Sequence, residues 1–458
     1  MKRFLLFFAM LAMGLSVYAQ SIAGSWEGNL EVSPFYSLKI VLNINEIDGA
    51  LSATMDSPDQ GAKGIPVDEV TFEDSSLTFT LAKLGVKYEG KMEDEAINGT
   101  FTQQGHSFPL ILKRAKEVVK VELSYHSEDL HFRNPESGLK VAGTITRPFK
   151  EGKYPAVVLI AGSGPMNRDS KVMKHKPLAD IADYLTRQGI VVLRYDKRGV
   201  GESESEFGGA TFNEFASDAR AMISCLSSKP YVDTNALGVI GHSEGGIISQ
   251  IIGANHPQLI DFMVLLASPA TSTIDILAHQ NMITLQDYLI ENKSEEMYKN
   301  CRNFFKSIIA HDATRESDSI NLMAFNEKVL TMVKPEHKEL ITNQIFQPEA
   351  IQMNLNIYRT PYFQKFLKYN PVDNLKKISC PVLAIIGEKD TQVPAKENLK
   401  VTKKALGNRV LAKEYPLLNH LFLTCETGSF MEYPYLEGSF SEDVLKDITT
   451  WIKDGYSL

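Results

Sequence analysis

Hydrophobic and polar positions divide the chain into two stretches of different period. From residue 20 to about 114 the alternation is every second residue. Leu38-Lys39-Ile40-Val41-Leu42-Asn43-Ile44 and Leu77-Thr78-Phe79-Thr80-Leu81 are the clearest cases. Period two marks strands with one face buried and one face wet. Turn signals at Asp48-Gly49 and Asn98-Gly99 are expected to separate such runs. The pattern predicts a small antiparallel all-β domain over residues 20–114.

After a charged connector at Lys113 to Lys116, Val119–Tyr125 and Leu139–Thr146 read as antiparallel strands. Continuous apolar runs then alternate with helical patterns. The runs are Ala156–Ile160, Val191–Tyr195, Leu237–Ile240, Phe262–Ala267, Val382–Gly387 and Val410–Tyr415. Helical periodicity covers Pro177–Gln188, Phe212–Leu226, Gly245–Ala254 and Glu442–Lys453. Such alternation predicts an α/β unit with a mostly parallel sheet covered on both faces, built from residues 117–270 and 371–458. Residues 271–370 break the rhythm with amphipathic patterns around Ile274–Leu289, Glu295–Ile309 and Phe325–Met332. An insertion at that point overhangs the strand ends where ligands bind, so a helical cap or lid is expected. Tyr358-Arg359-Thr360-Pro361-Tyr362-Phe363 either lines the site or packs within its own domain.

The amino terminus adds a compartment. Met1-Lys2-Arg3 is basic, an apolar run follows from Phe4 to about Val17, and Val17-Tyr18-Ala19 offers the small residues of a cleavage site. The run falls short of the about 20 apolar residues a spanning helix needs. Residues 1–19 therefore read as a signal peptide removed near Ala19, leaving a secreted or periplasmic protein. No cysteine stands at the cleavage site, so no lipid anchor is expected, and no later run is long enough to span. Loss of the signal takes the net charge from −8 to about −10. That balance argues against nucleic acid or an anionic membrane as partner. Cys225, Cys301, Cys380 and Cys425 lack metal-ligand spacing and are too sparse for a disulfide scaffold. With no phosphate loop and no His/Cys cluster, no cofactor or metal is expected.

The chemistry gathers around Gly241-His242-Ser243-Glu244-Gly245-Gly246, directly after the run Leu237–Ile240. Glycines two before and two after a serine permit a sharp strand-to-helix turn that lifts the hydroxyl clear of the sheet. A serine hydroxyl needs a base beside it to act as a nucleophile. Of the five downstream histidines, His256, His279, His311, His337 and His420, only His420 lies near the C-terminus beyond another strand. The acid should follow a buried strand. Asp390 stands where the chain turns off Val382–Gly387 and is preferred to Glu388. It would hold the imidazole tautomer and stabilise the imidazolium. Ala161-Gly162-Ser163-Gly164-Pro165, a loop of small residues at the end of Ala156–Ile160, suits an oxyanion site. The donors expected there are the N–H groups of Ser163 and Glu244. His242 is expected to be structural. Arg168 and Asp169 either pair at the surface or touch substrate, and Asp196 with Arg198 reads as a loop-bracing pair.

From about Val118 onward these motifs resemble an α/β-hydrolase superfamily serine esterase. Arg194-Tyr195-Asp196-Lys197-Arg198-Gly199-Val200-Gly201-Glu202-Ser203 is similar to that superfamily's D-x-R-G-x-G-x-S turn. Its common His-Gly before the oxyanion loop reads Ala161-Gly162 here. Ahead of it, Gly24-Ser25-Trp26-Glu27-Gly28 resembles the opening of lipocalin-like barrels, with Trp26 read as a core plug. The resemblance implies a carboxylesterase for small or medium acyl esters, working through Ser243, His420 and Asp390. The alternatives are a peptidase or amidase, an acyltransferase, or a carbohydrate- or lipid-binding protein with a degenerate hydrolase domain.

Overall fold

The computed structural model describes residues 21–33, 36–58, 62–115, 123–205, 209–280 and 356–457, with single positions between 303 and 353. The expected signal peptide, Cys301, and all or nearly all of the cap helices at Glu295–Ile309 and Phe325–Met332 lie outside the described residues. Of the cap helix expected at Ile274–Leu289, only the part up to residue 280 is described, and residues 273–280 are helical. The chain forms two compact units, Met1–Val119 and Lys120–Leu458.

Among the described residues the first unit is a nine-stranded antiparallel sheet in the order β4 (Ala62–Pro66), β3 (Ala50–Ser57), β2, β1, β9, β8, β7 (Val86–Glu93), β6 (Ser76–Leu81) and β5 (Glu69–Glu73). Strand β1 (Gly24–Ser33) pairs with β2 (Tyr36–Ile47) and with β9 (His106–Arg114). Inward side chains fill a single core, including Trp26, Leu42, Phe79, Tyr88 and Phe101. Trp26 is 1% exposed, its Nε1 donates to the Ile22 carbonyl at 2.8 Å, and the Arg114 guanidinium lies 4.6 Å from its ring centre. It plugs the core.

Asp48 and Gly49 form the expected hairpin turn, both at positive φ, 52° and 79°. Asn98-Gly99 does not turn. Both residues lie inside β8 (Ala96–Gln103), and the turn is at Asp94-Glu95. Gly99 is explained by a close approach instead: a Cβ there would lie 2.5 Å from the Tyr88 ring.

The second unit carries an eight-stranded sheet in the order β10-β11-β13-β12-β14-β15-β16-β17. Strands β10 (Tyr125–Arg133) and β11 (Lys140–Pro148) pair antiparallel, and β11 meets β13 (Val191–Tyr195) antiparallel. Every pairing from β13 through β12 (Tyr154–Ile160), β14 (Val232–His242), β15 (Phe262–Leu266), β16 (Val382–Gly387) and β17 (Val410–Tyr415) is parallel. Of the strand expected at Val119–Tyr125, residues 119–122 lie outside the described residues; among the described residues the first strand of this unit runs from Tyr125 to Arg133. Only Tyr125 and Leu130 of β10 are buried, because an edge strand needs little apolar surface.

Helices cover both faces. Helices α1 (Pro177–Arg187) and α7 (Glu442–Lys453) pack with Val157, Leu159 and Val192 on one side. Helices α2 (Phe212–Ser227), α3 (Glu244–Asn255) and α6 (Ala395–Leu406) pack with Val158, Ile160 and Val239 on the other. The residue pairs Val157/Val158 and Leu159/Ile160 thus serve opposite cores, which is why β12 reads as one unbroken apolar run. From β12 the chain moves to β13 on one flank and then to β14 on the other. That reversal of strand order opens a crevice at the carboxyl ends of β12 and β14, the usual ligand position in such sheets.

Candidate active site

Ser243 occupies the end of β14, at the point where the strand becomes α3. Its backbone is at φ 54° and ψ −119°, a conformation that costs a non-glycine residue of order 1–3 kcal/mol. The surrounding turn imposes it. The Ser243 N–H donates to the Leu266 carbonyl at 2.8 Å, and its own carbonyl accepts from the Gly246 N–H at 2.9 Å. Side chains at the flanking glycines would not fit. A Cβ on Gly241 would lie 2.3 Å from the Gly245 carbonyl oxygen, and one on Gly245 only 2.0 Å from that of Ile160. The helix N-terminus beginning at Glu244 leaves unpaired N–H groups and a favourable dipole beside the hydroxyl.

Asp390 and His420 meet in the interior. Asp390 is 5% exposed and accepts at Oδ1 from the N–H groups of Gln392 (2.8 Å) and Val393 (2.9 Å). Its Oδ2 lies 2.8 Å from His420 Nδ1. Two backbone donors thus hold one carboxylate oxygen while the other receives the imidazole. With the proton on Nδ1, Nε2 is left as the basic nitrogen. The loop bearing His420 is itself fixed: Asn419, fully buried, accepts at Oδ1 from the N–H groups of Leu421 (2.9 Å) and Leu423 (3.0 Å).

His242 joins this loop to the serine turn. Its Nε2 donates to the His420 carbonyl at 2.8 Å, and the two rings are 4.8 Å apart. Burial first, and the neighbouring His420 second, lower its pKa from 6.5 to about 4, so it is neutral at neutral pH. The expectation of a structural histidine is met by a specific contact, made to the backbone of the residue expected to be the base.

The loop Ala161–Gly164 also reaches the serine. A Cβ on Gly162 would sit 3.3 Å from the Ser243 Cβ, so this backbone passes directly beside the nucleophile candidate. Two residues whose roles were not read from the sequence converge here. Lys197 Nζ, with a side chain 3% exposed, donates to the Gly162 carbonyl at 2.6 Å and to Glu244 Oε1 at 2.7 Å. Tyr362 donates its hydroxyl to Glu244 Oε2. Its pKa is raised well above the ordinary phenol value by burial and by the Glu244 carboxylate. Tyr362 lies in α4 (Pro361–Lys368), in the last stretch of the expected cap, residues 271–370. Of the two readings of that aromatic stretch, Tyr362 therefore takes the one facing the site. Phe363 and Tyr358 pack against the core.

The other charged candidates brace loops. Arg168 binds Asp196 (2.7 Å), Glu202 (2.9 Å) and Asp129 (3.1 Å), while Asp169 pairs with Arg194 at 2.9 Å. Asp196 and Arg198 are not each other's partners. Arg198 pairs with Asp218 at 2.7 Å, so two separate ion pairs fix the turn after β13. Among the described residues, no group of His, Cys, Asp and Glu is arranged to hold a metal. Cys225, Cys380 and Cys425 are free thiols.

A family model described as serine aminopeptidase S33 matches residues 174–330. Among curated proteins, the chain is 24% identical to esterase EstD of Thermotoga maritima over 357 residues, covering 77% of this chain and 75% of that protein. It is 22% identical over 315 residues to an uncharacterized 31.7 kDa protein of Escherichia coli, covering 68% of this chain and 95% of that one. Among solved structures, an esterase of Pyrococcus furiosus is similar over 74% of this chain and 95% of its own, at 15% identity and TM-score 0.46. The family match and the first curated relative agree with the motifs: this chain is similar to α/β-hydrolase superfamily esterases.

Proposed function

We propose that this protein is a serine carboxylesterase acting on small or medium acyl esters. The observation that carries the reading is the buried Asp390–His420 contact of 2.8 Å, tied through His242 to a strained serine at a helix N-terminus. In this reading Ser243 Oγ attacks the ester carbonyl as His420 Nε2 accepts its proton. The tetrahedral oxyanion rests on the N–H groups of Ser163 and Glu244. His420 then gives the proton to the departing alcohol, leaving an acyl-enzyme at Ser243. Water, deprotonated by the same histidine, attacks the acyl carbon, and collapse returns the proton to Ser243 and releases the acid. Asp390 keeps the ring oriented and stabilises its charged form throughout.

An ester is favoured over an amide because the curated relative that matches most of the chain is named an esterase. A peptidase reading is kept because the matching family model is described as a serine aminopeptidase. Export after cleavage near Ala19 belongs to the same proposal and rests on the pattern of residues 1–19.

A fluorophosphonate probe should label the wild-type protein and leave Ser243→Ala unlabelled; equal labelling of both would falsify the serine mechanism. Turnover of p-nitrophenyl acyl esters should exceed that of aminoacyl anilides, and the reverse order would transfer the assignment to peptidases.

A further inference from the structure

We propose that Lys197 is a positioning residue for the oxyanion site, fixing the peptide unit that carries the Ser163 N–H and tethering the side chain of Glu244, whose N–H is the second donor. The inference rests on the reading of Ser163 and Glu244 as donors. Gly162 C=O and Ser163 N–H belong to one planar peptide unit. An ammonium donating to that oxygen at 2.6 Å holds the whole unit in one orientation. It also draws electron density toward the carbonyl end and so makes the N–H a stronger donor. The restraint matters because the loop is built for freedom: Gly162 precedes Ser163, and Gly164 follows it at φ 89°. Two flanking glycines leave a peptide unit free to turn over.

The same ammonium lies 2.7 Å from the Glu244 carboxylate, and Glu244 supplies the second N–H. One cation thus spans the loop after β12 and the first residue of α3. It lies in the interior, 4.7 Å from the centre of the Phe215 ring. Stability alone does not account for such a pair. Desolvating two charges offsets most of their attraction, and an apolar pair of similar volume often folds as well.

The test uses the full-length protein with Lys197→Met, Lys197→Arg and the double variant Lys197→Met/Glu244→Gln, which leaves no unpaired buried charge. Kinetics on a p-nitrophenyl ester are measured alongside inhibition by a trifluoromethyl ketone, whose adduct with the serine places an oxyanion in the site. Lys197→Met and the double variant should lose about 10–100-fold in kcat, with KM changed less than about threefold. Trifluoromethyl ketone affinity should fall in parallel, and Lys197→Arg should recover part of both. The double variant should melt close to the wild type, which separates lost positioning from lost folding. The proposal is overturned if the double variant keeps wild-type kcat, if the loss falls on KM, or if ketone affinity is unchanged. A wild type that no fluorophosphonate labels overturns the serine reading and this proposal with it. A labelled wild type with unaffected variants overturns this proposal alone.

Discussion

Single residues at this site are defined by their partners more than by their type. The contact between His420 and Asp390 was readable because each follows a strand end in chain order, and side chains at strand ends meet in the crevice. Lys197 was not readable as a partner of Glu244, since the two lie 47 positions apart and a lysine is ordinarily solvated. Asp390→Asn should lower kcat by roughly 10³–10⁴-fold, because an amide at that position favours the wrong imidazole tautomer. Steady-state ester hydrolysis checks it, and a loss below tenfold would assign the acid elsewhere.

His242 makes a separate prediction about pH. Its pKa in the fold is about 4, against 6.5 ordinarily. Between those values the unfolded chain binds more protons, so this contribution is whole above about pH 6.5 and is lost as pH falls toward 4. The loss amounts to at most about 3 kcal/mol. His242→Gln can still donate to the His420 carbonyl but does not titrate. Its urea midpoint should therefore decline less than the wild type's between pH 6.5 and 4. Parallel curves would show that His242 is not the source.

Elements follow the same division. The inner strands β12, β15 and β16 were legible because both of their faces are buried, so each reads as an unbroken apolar run. The stretch of edge strand β10 beyond Tyr125 was not legible because Glu128, Asp129, His131 and Arg133 are polar residues that a wetted strand tolerates. Asn98-Gly99 misled for a related reason: glycine marks a turn and also a place where an aromatic ring presses on the backbone, and only the folded Tyr88 tells which. The serine turn combines both demands on glycine. Gly245→Ala would drive a methyl group into the Ile160 carbonyl and force α3 away from β12. We expect a loss of about 1–3 kcal/mol and of most esterase activity. Gly209→Ala, where a Cβ meets nothing within 4 Å, should change neither. Thermal unfolding of the two variants makes the comparison, and equal melting temperatures would sink the account of the elbow.

At the scale of the whole molecule, each of the two units buries a hydrophobic core built, among the described residues, from its own side chains. The residues of the candidate site, from Gly162 to His420, all belong to the second unit. A unit that contains both its core and its chemistry should keep them when separated. The interior of the first unit is filled by Trp26, Tyr88, Phe79 and Phe101, so the lipocalin-like opening does not lead to an internal ligand cavity at those positions. Deleting residues 20–114 should therefore leave kcat/KM for a small p-nitrophenyl ester within about twofold of the full chain. Any effect should appear only with large or surface-bound esters, measured on the same two proteins. A collapse of small-ester turnover in a deletion variant that still folds by circular dichroism would show that the β unit helps to build the site.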